Sequence, residues 1–341
     1  LSSNASDHCP LWIIPDGLEI PNITKPFRFE EMWLSDRGCS NVVEAVWTSH
    51  EEAEPSIKVV KKIKKCGKEL QEWNRKHFGN VRRELEKKRK MLKEAEKEAM
   101  RTGVNFRVRE LKKEIDELVD KEYRMWFQRS KALWAANGDK NSKFFHCRAT
   151  QRKRKNSILK IRKADGEWSS DMEQVTEALT TYFKELYTSA NLTPCAAATN
   201  SINQVITREM NEQLSREFQA WEVQQAIKQM APLKAPGPDG MPPLFFQHYW
   251  NLIGDDVIDS VLSFLNFASL PEHLNHTFIT LIPKKKNPEH ASDFRPISLC
   301  NVLYKIFSKV LANRLKSILP KIITEHQSAF TKSRLISDNI L

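Results

Sequence analysis

Between Ile57 and Leu133 apolar residues recur at helical steps, first Ile63, Leu70, Trp73, Val81, Leu85 and Leu92, then Val108, Leu111, Ile115, Leu118, Met125 and Leu133. Thr102-Gly103-Val104-Asn105 separates the two runs, and each run is far longer than an average globular helix. Neither arm can leave its apolar stripe in water. The economical solution is an antiparallel helical hairpin closed along one seam.

Charge narrows the choice of partner. The 341 residues carry a formal charge of +11, with 28% of them charged, which favours a polyanion, nucleic acid before membrane. Residues 58 to 100 hold 16 Lys/Arg against 7 Glu, a mixture that i,i+4 pairing on a solvated helix face largely explains. Residues 140 to 163 hold 10 Lys/Arg and no acid, and pairing cannot explain that. There Arg148-Ala-Thr-Gln-Arg-Lys-Arg-Lys155 follows Phe144-Phe145-His146, setting cations for phosphates beside rings that can stack on bases. Arg152, Lys153, Arg154 and Lys155 are thus candidate nucleic-acid contacts, and a nuclear-localisation patch or a solvated helix end is the plainer alternative.

Several classes drop out. No apolar run approaches the ~20 residues that span a bilayer. The six cysteines stand singly, without a C-x-x-C pair to begin a zinc or redox site, and read as reduced thiols. Leu1-Ser-Ser-Asn4 has neither an initiator Met nor a signal-peptide layout. The chain is therefore expected to begin in mid-protein and to be nuclear or cytoplasmic, not secreted, leaving the sequons at Asn22 and Asn275 unused.

From Pro10 to Leu34 the pattern is short and β-like. Leu11-Trp-Ile-Ile14 ends at Pro15-Asp-Gly17, and Phe27 to Trp33 carries aromatics at spacing two, so two strands are expected as the last edge of a domain. Ile158 to Trp168 reads as a strand and hairpin turn, Asp171 as the start of an amphipathic helix, and residues 189 to 203 as a linker. Helices follow around Trp221 to Met230, Leu244 to Trp250 and Val257 to Phe267, then the strand Phe278 to Ile282, then a helix from Val302 to Leu319. Lys234-Ala-Pro-Gly-Pro-Asp-Gly240 is a tight loop that lacks the Gly-Lys-Ser/Thr end of a phosphate-cradling P-loop. Asp255-Asp256 falls in the first turn of a predicted helix, where acids are commonplace, and is assigned no metal.

Several blocks closely resemble the LINE-type (non-LTR) retrotransposon proteins of the plant kind. They are Trp134-Ala-Ala-Asn-Gly-Asp139 with Phe144-Phe-His146, Lys234 to Gly240, Leu281-Ile-Pro-Lys284, Asp293-Phe-Arg-Pro-Ile-Ser-Leu-Cys-Asn301 with Tyr304-Lys-Ile306, His326-Gln-Ser-Ala-Phe330, and Arg334-Leu-Ile-Ser-Asp-Asn339. Their spaced order covers nearly the whole chain. The resemblance implies residues 1–40 as the C-terminal remnant of an apurinic-type endonuclease domain, 41–200 as a basic helical linker with the hairpin, and 201–341 as the N-terminal part of a reverse transcriptase domain. The fold class expected is α+β and mainly helical, combining a two-strand endonuclease remnant, the long helical hairpin and partial reverse-transcriptase fingers.

The same resemblance assigns roles. Lys284 and Arg295 would contact the triphosphate of the incoming nucleotide, although Lys284 in a Lys-Lys-Lys run would otherwise be an ordinary exposed lysine. Phe330 and Arg334 would line the template path, and Asp7 and His8 match the closing motif of the endonuclease. An RNA template, a DNA target and a palm domain beyond the chain are the implied partners. No cofactor is expected within the chain itself, while Mg²⁺ is implied for the complete parent protein. The fragment alone is expected to be inactive, and the alternative is a non-catalytic helical protein that binds RNA or DNA.

Overall fold

The computed structural model describes residues 26–130, 142–163, 165–189, 205–267 and 274–324, with residues 327 and 334. The expected strand Leu11–Ile14, the linker from residue 190 and the block Trp134–Asp139 lie outside them. Among the described residues the architecture is mainly helical with two separate two-stranded antiparallel sheets, consistent with an α+β reading.

Phe27 to Trp33, expected as an edge strand, is not one. The segment runs extended to Glu30 and then closes into a 3-10 turn, Glu31–Ser35. Its alternating aromatics are buried by helices instead of a sheet. Phe29 is 1% exposed, with its ring edge-on to Trp33 at 5.4 Å and to Phe245 at 5.5 Å. The Phe29 N–H donates to the carbonyl of Gly240 at 3.0 Å, so one tertiary bond replaces a ladder.

Helix α1 (Arg37–Thr48), capped by the Asp36 carboxylate on the Gly38 N–H, and helix α2 (Pro55–Trp73), with Pro at its first position, pack on each other. The expected hairpin arm does not continue from α2. A single π-type turn, Asn74–Phe78, ends at Gly79 with φ 71°, and Asn80 then caps the N–H groups of Arg82 and Arg83 to start α3 (Val81–Thr102) afresh. The break turns α2 into the core and lets only α3 form the arm. Gly103, at φ 75°, closes α3, and α4 (Phe106–Ser130) returns alongside it. Lys88–Glu114 at 2.8 Å and Lys112–Glu96 at 3.6 Å bridge the two helices. At its far end α4 is tied to the 27–31 segment: Gln128 accepts from the Glu31 N–H at 2.8 Å and donates to the Phe29 carbonyl at 2.9 Å.

Beyond the hairpin come α5 (Ser142–Asn156), the short ladder of β1 (Ile161–Arg162) with β2 (Trp168–Ser169), and α6 (Met172–Tyr187), which Asp171 caps. Then follow α7 (Arg208–Ser215), α8 (Ala220–Lys228), α9 (Pro243–His248) and α10 (Trp250–Phe267). The hairpin of β3 (Phe278–Pro283) and β4 (Phe294–Leu299) leads into α11 (Val302–Leu315) and a final turn, α12 (Leu319–Ile322).

One hydrophobic core joins residues 29–81 to residues 223–310. The expected boundaries at residues 40 and 200 therefore do not separate cores. Val59, Ile63, Cys66 and Leu70 of α2 lie in the same cluster as Val257 and Val261 of α10 and Ile306 and Val310 of α11. Each fully buried side chain of this size contributes roughly 1.5–3 kcal/mol.

Asp256 stands in the second turn of α10, not the first, because the helix begins at Trp250. It bridges Lys58 at 2.9 Å and Lys62 at 3.0 Å on α2, while Lys62, 4% exposed, also donates to the Trp47 carbonyl at 2.7 Å. Replacing Asp256 with Ala leaves the Lys62 ammonium buried without its counter-charge and is expected to cost about 3 kcal/mol, whereas Lys58→Ala removes a partly exposed partner and costs under about 1 kcal/mol. Urea denaturation of the two variants checks the order; equal effects would contradict it.

Candidate nucleotide and nucleic-acid interface

The β3–β4 ladder runs from Phe278↔Leu299 through Ile282↔Arg295 to Pro283↔Phe294. Alternation along a strand puts Lys284, two residues past Ile282, on the same face as Arg295, in diagonal register. Both residues are exposed. The Lys284 N–H donates to the Asp293 carbonyl at 2.8 Å, and its ammonium donates to the Ser292 carbonyl at 2.7 Å. Arg295 has no ion pair among the described residues.

Asp293 locks the turn between the strands, a role the sequence reading missed although it quoted the residue. Its carboxylate accepts from the His290 N–H at 3.0 Å and the Glu289 N–H at 2.9 Å and meets Lys285 at 2.9 Å. These bonds hold it well below the usual carboxylate range. An acid just before a strand and a few residues past a Pro was the available signal.

The basic helix sits against this hairpin. α5 contacts β3, and the Arg162 N–H of β1 donates to the Glu289 carbonyl in the turn at 2.7 Å. Arg152, Lys153, Arg154 and Lys155 are exposed at the end of α5, with no ion pair among the described residues. Two of the neighbouring rings are not free for bases, contrary to expectation, while Phe144 is 44% exposed beside Phe145. Phe145 is 3% exposed, edge-on to Tyr123 at 5.6 Å and to Phe127 at 5.5 Å, and His146 lies 4.3 Å from Trp126. They fasten α5 to α4, because an aromatic face on α4 offers more burial than solvent does.

Of the remaining expected sites only Arg334 is described. Asp7, His8 and Phe330 lie outside the described residues. Arg334 donates to the backbone carbonyls of Thr324 and Gln327. Among the described residues no three His, Cys, Asp or Glu groups converge as metal ligands, and Asp256 is committed to two lysines. These residues do not fit a divalent metal.

Lys234 to Gly240 consumes its own amides, as a loop that is not a P-loop would. The Gly240 N–H goes to the Gly237 carbonyl at 3.1 Å, the Met241 N–H to Asp239 at 3.1 Å, and the Asp239 N–H to the Asn301 side chain at 3.2 Å. The Lys305 ammonium donates to the Ala235 carbonyl at 2.8 Å. A Cβ at Gly237 would strike the backbone of Cys300 and Asn301. Two motifs that read as separate in sequence are therefore one interlocked unit.

Desolvation pushes the Asp239 carboxyl up to about 7 from 3.8, against the Met241 N–H and Lys305, which lower it. The neutral form favours the fold, so its stabilising contribution is complete below pH 3.8 and is lost as pH rises to about 7. Asp239→Asn retains the acceptor for Met241. It is expected to flatten the dependence of the unfolding midpoint on pH across that window and to match or exceed the natural protein at pH about 8. An unchanged pH slope would remove Asp239 from the account.

Comparison with known proteins bears on this region. Residues 282–340 match the family described as reverse transcriptase (RNA-dependent DNA polymerase). Over 233 residues the chain is 27% identical to the Transposon TX1 uncharacterized 149 kDa protein of Xenopus laevis, an alignment covering 68% of this chain and 18% of that protein. The chain thus spans less than a fifth of the relative it matches. The two findings together support a reverse transcriptase segment, entered within the β3–β4 hairpin, in a chain similar to a transposon protein.

Proposed function

We propose that this chain is the front of a non-LTR, LINE-type retrotransposon reverse transcriptase of the plant kind, in which the β3–β4 hairpin receives the nucleotide triphosphate and α5 binds template or target phosphates. The observation that carries the reading is the family match beginning at residue 282, inside a hairpin that presents Lys284 and Arg295 on one face. In phosphoryl transfer, negative charge builds on the departing pyrophosphate, and preorganised cations offset it without reorganising at the moment of reaction. Arg295 is suited to a planar two-point contact, Lys284 to a point charge. An upstream endonuclease contributing Asp7 and His8, an RNA template, a DNA target and Mg²⁺ in the complete parent protein belong to the same proposal. Mg²⁺ is assigned to no residue described here.

A second reading, a non-catalytic RNA- or DNA-binding protein, rests only on the exposed cations of α5, which make no ion pair among the described residues. Two measurements separate the readings. Crosslinking of an azido-deoxynucleoside triphosphate is expected to fall at least tenfold in Lys284→Ala/Arg295→Ala and to be unchanged when Arg152, Lys153, Arg154 and Lys155 become Gln. In a salt series with single-stranded RNA, the quadruple variant is expected to lower the slope of log K against log salt by about 3, four phosphate contacts at ~0.7 each. RNA binding without triphosphate crosslinking favours the second reading, and a salt slope that the quadruple variant leaves intact removes α5 from both.

A further inference from the structure

The break between α2 and α3 opens a pocket of about 610 Å³ walled by the 26–33 segment, by α2 and α3 on either side of Gly79, and by the end of α4. Its size suits one nucleotide-sized group. Four arginines, Arg28, Arg75, Arg82 and Arg129, stand around it against a single acid, Glu30. Arg129 is held by Glu30 at 2.8 Å. Arg28 and Arg75 make no ion pair among the described residues, and Arg82 only a loose one with Glu86 at 4.0 Å. The N-terminal end of α3, a 22-residue helix, forms part of the wall and adds positive potential.

The inner wall has the opposite character. Phe27, Trp33 and Met125 give it apolar and aromatic surface. Trp33 is 3% exposed, yet its indole N–H has no partner; the second carboxylate oxygen of Glu30 is buried and equally without one. Both residues belong to the wall of the pocket, and a buried donor or acceptor left unmade costs roughly 1–3 kcal/mol. Inorganic phosphate would answer the arginines and repel Glu30. A nucleotide answers both characters of the wall: its phosphate meets the arginines, and its base lies on the surface that Phe27 and Met125 provide.

We propose that this pocket binds one nucleotide unit of a single-stranded nucleic acid, base inward and phosphate toward Arg28, Arg75 and Arg82. The inference rests on the nucleic-acid reading given above and adds to it a second contact, built by the segment preceding α1 and by the α2–α3 break.

The test uses the full chain and a single-stranded RNA carrying 4-thiouridine, with crosslinked peptides mapped by mass spectrometry. Crosslinks are expected within residues 26–33 and around Met125. Arg75→Gln/Arg82→Gln, which alters two exposed side chains, is expected to reduce them at least tenfold. Phe27→Leu, which keeps apolar bulk and removes the aromatic face of a half-buried wall residue, is expected to reduce them about fivefold, with the unfolding midpoint measured alongside. Crosslinks that map to α5 and never to this pocket would overturn the pocket while leaving the nucleic-acid reading intact. Absence of RNA binding by the natural chain would overturn both. Full competition by millimolar inorganic phosphate, with no crosslink to Trp33 or Phe27, would make it an anion site and overturn the nucleotide assignment.

Discussion

Three stretches far apart in sequence meet backbone to backbone around two glycines. Phe29 donates to the Gly240 carbonyl, and Gly240, at φ 73°, comes so close to Phe27 that a Cβ there would strike its carbonyl oxygen. Three residues earlier Gly237 lies as tightly against Cys300 and Asn301. Only a residue without a side chain allows both approaches, and only Gly adopts this positive φ without strain. The junction seats the Phe29 ring against Phe245, fixes the loop through Asn301, and delivers β4 directly into α11.

Everything proposed for function hangs from this junction. The β3–β4 hairpin leaves it at Leu299, and its far end is held by Asp293 within the turn and by Arg162 from β1. The basic α5 is fastened on one side to α4 by Phe145 and His146, and contacts β3 on the other. Positive charge expected in two places thus comes to adjoining elements. Two acids of the core serve buried cations instead, Asp256 on Lys62 and Glu222 on Arg314 at 2.7 Å.

Much of this was legible in the chain. The helical period announced the hairpin, Gly103 its tip and Asp171 the start of α6, because local backbone chemistry decides such points. The alternating aromatics of Phe27 to Trp33 misled, since spacing two fits a strand and equally an extended segment pressed on helices. Gly79-Asn80 was a readable break within the arm, but the apolar stripe ran through it unchanged, and only the tertiary contacts of α2 with α10 give the break its purpose. At the candidate interface, Lys284, Arg295 and the α5 cations were identifiable by residue type and resemblance. Asn301 and Lys305 were not, because their partners are backbone groups that no spacing reveals.

The central claim is that the opening segment and the polymerase-like segment fold as one body around the junction. Native-state hydrogen exchange tests it most directly. The account predicts that the amides of Cys66 and Leu70 in α2 open with the same free energy as those of Val257 and Val261 in α10, and that this energy equals that of global unfolding. If α2 exchanges through an opening several kcal/mol cheaper than the one that exposes α10, the shared core is an adjacency and the account is wrong.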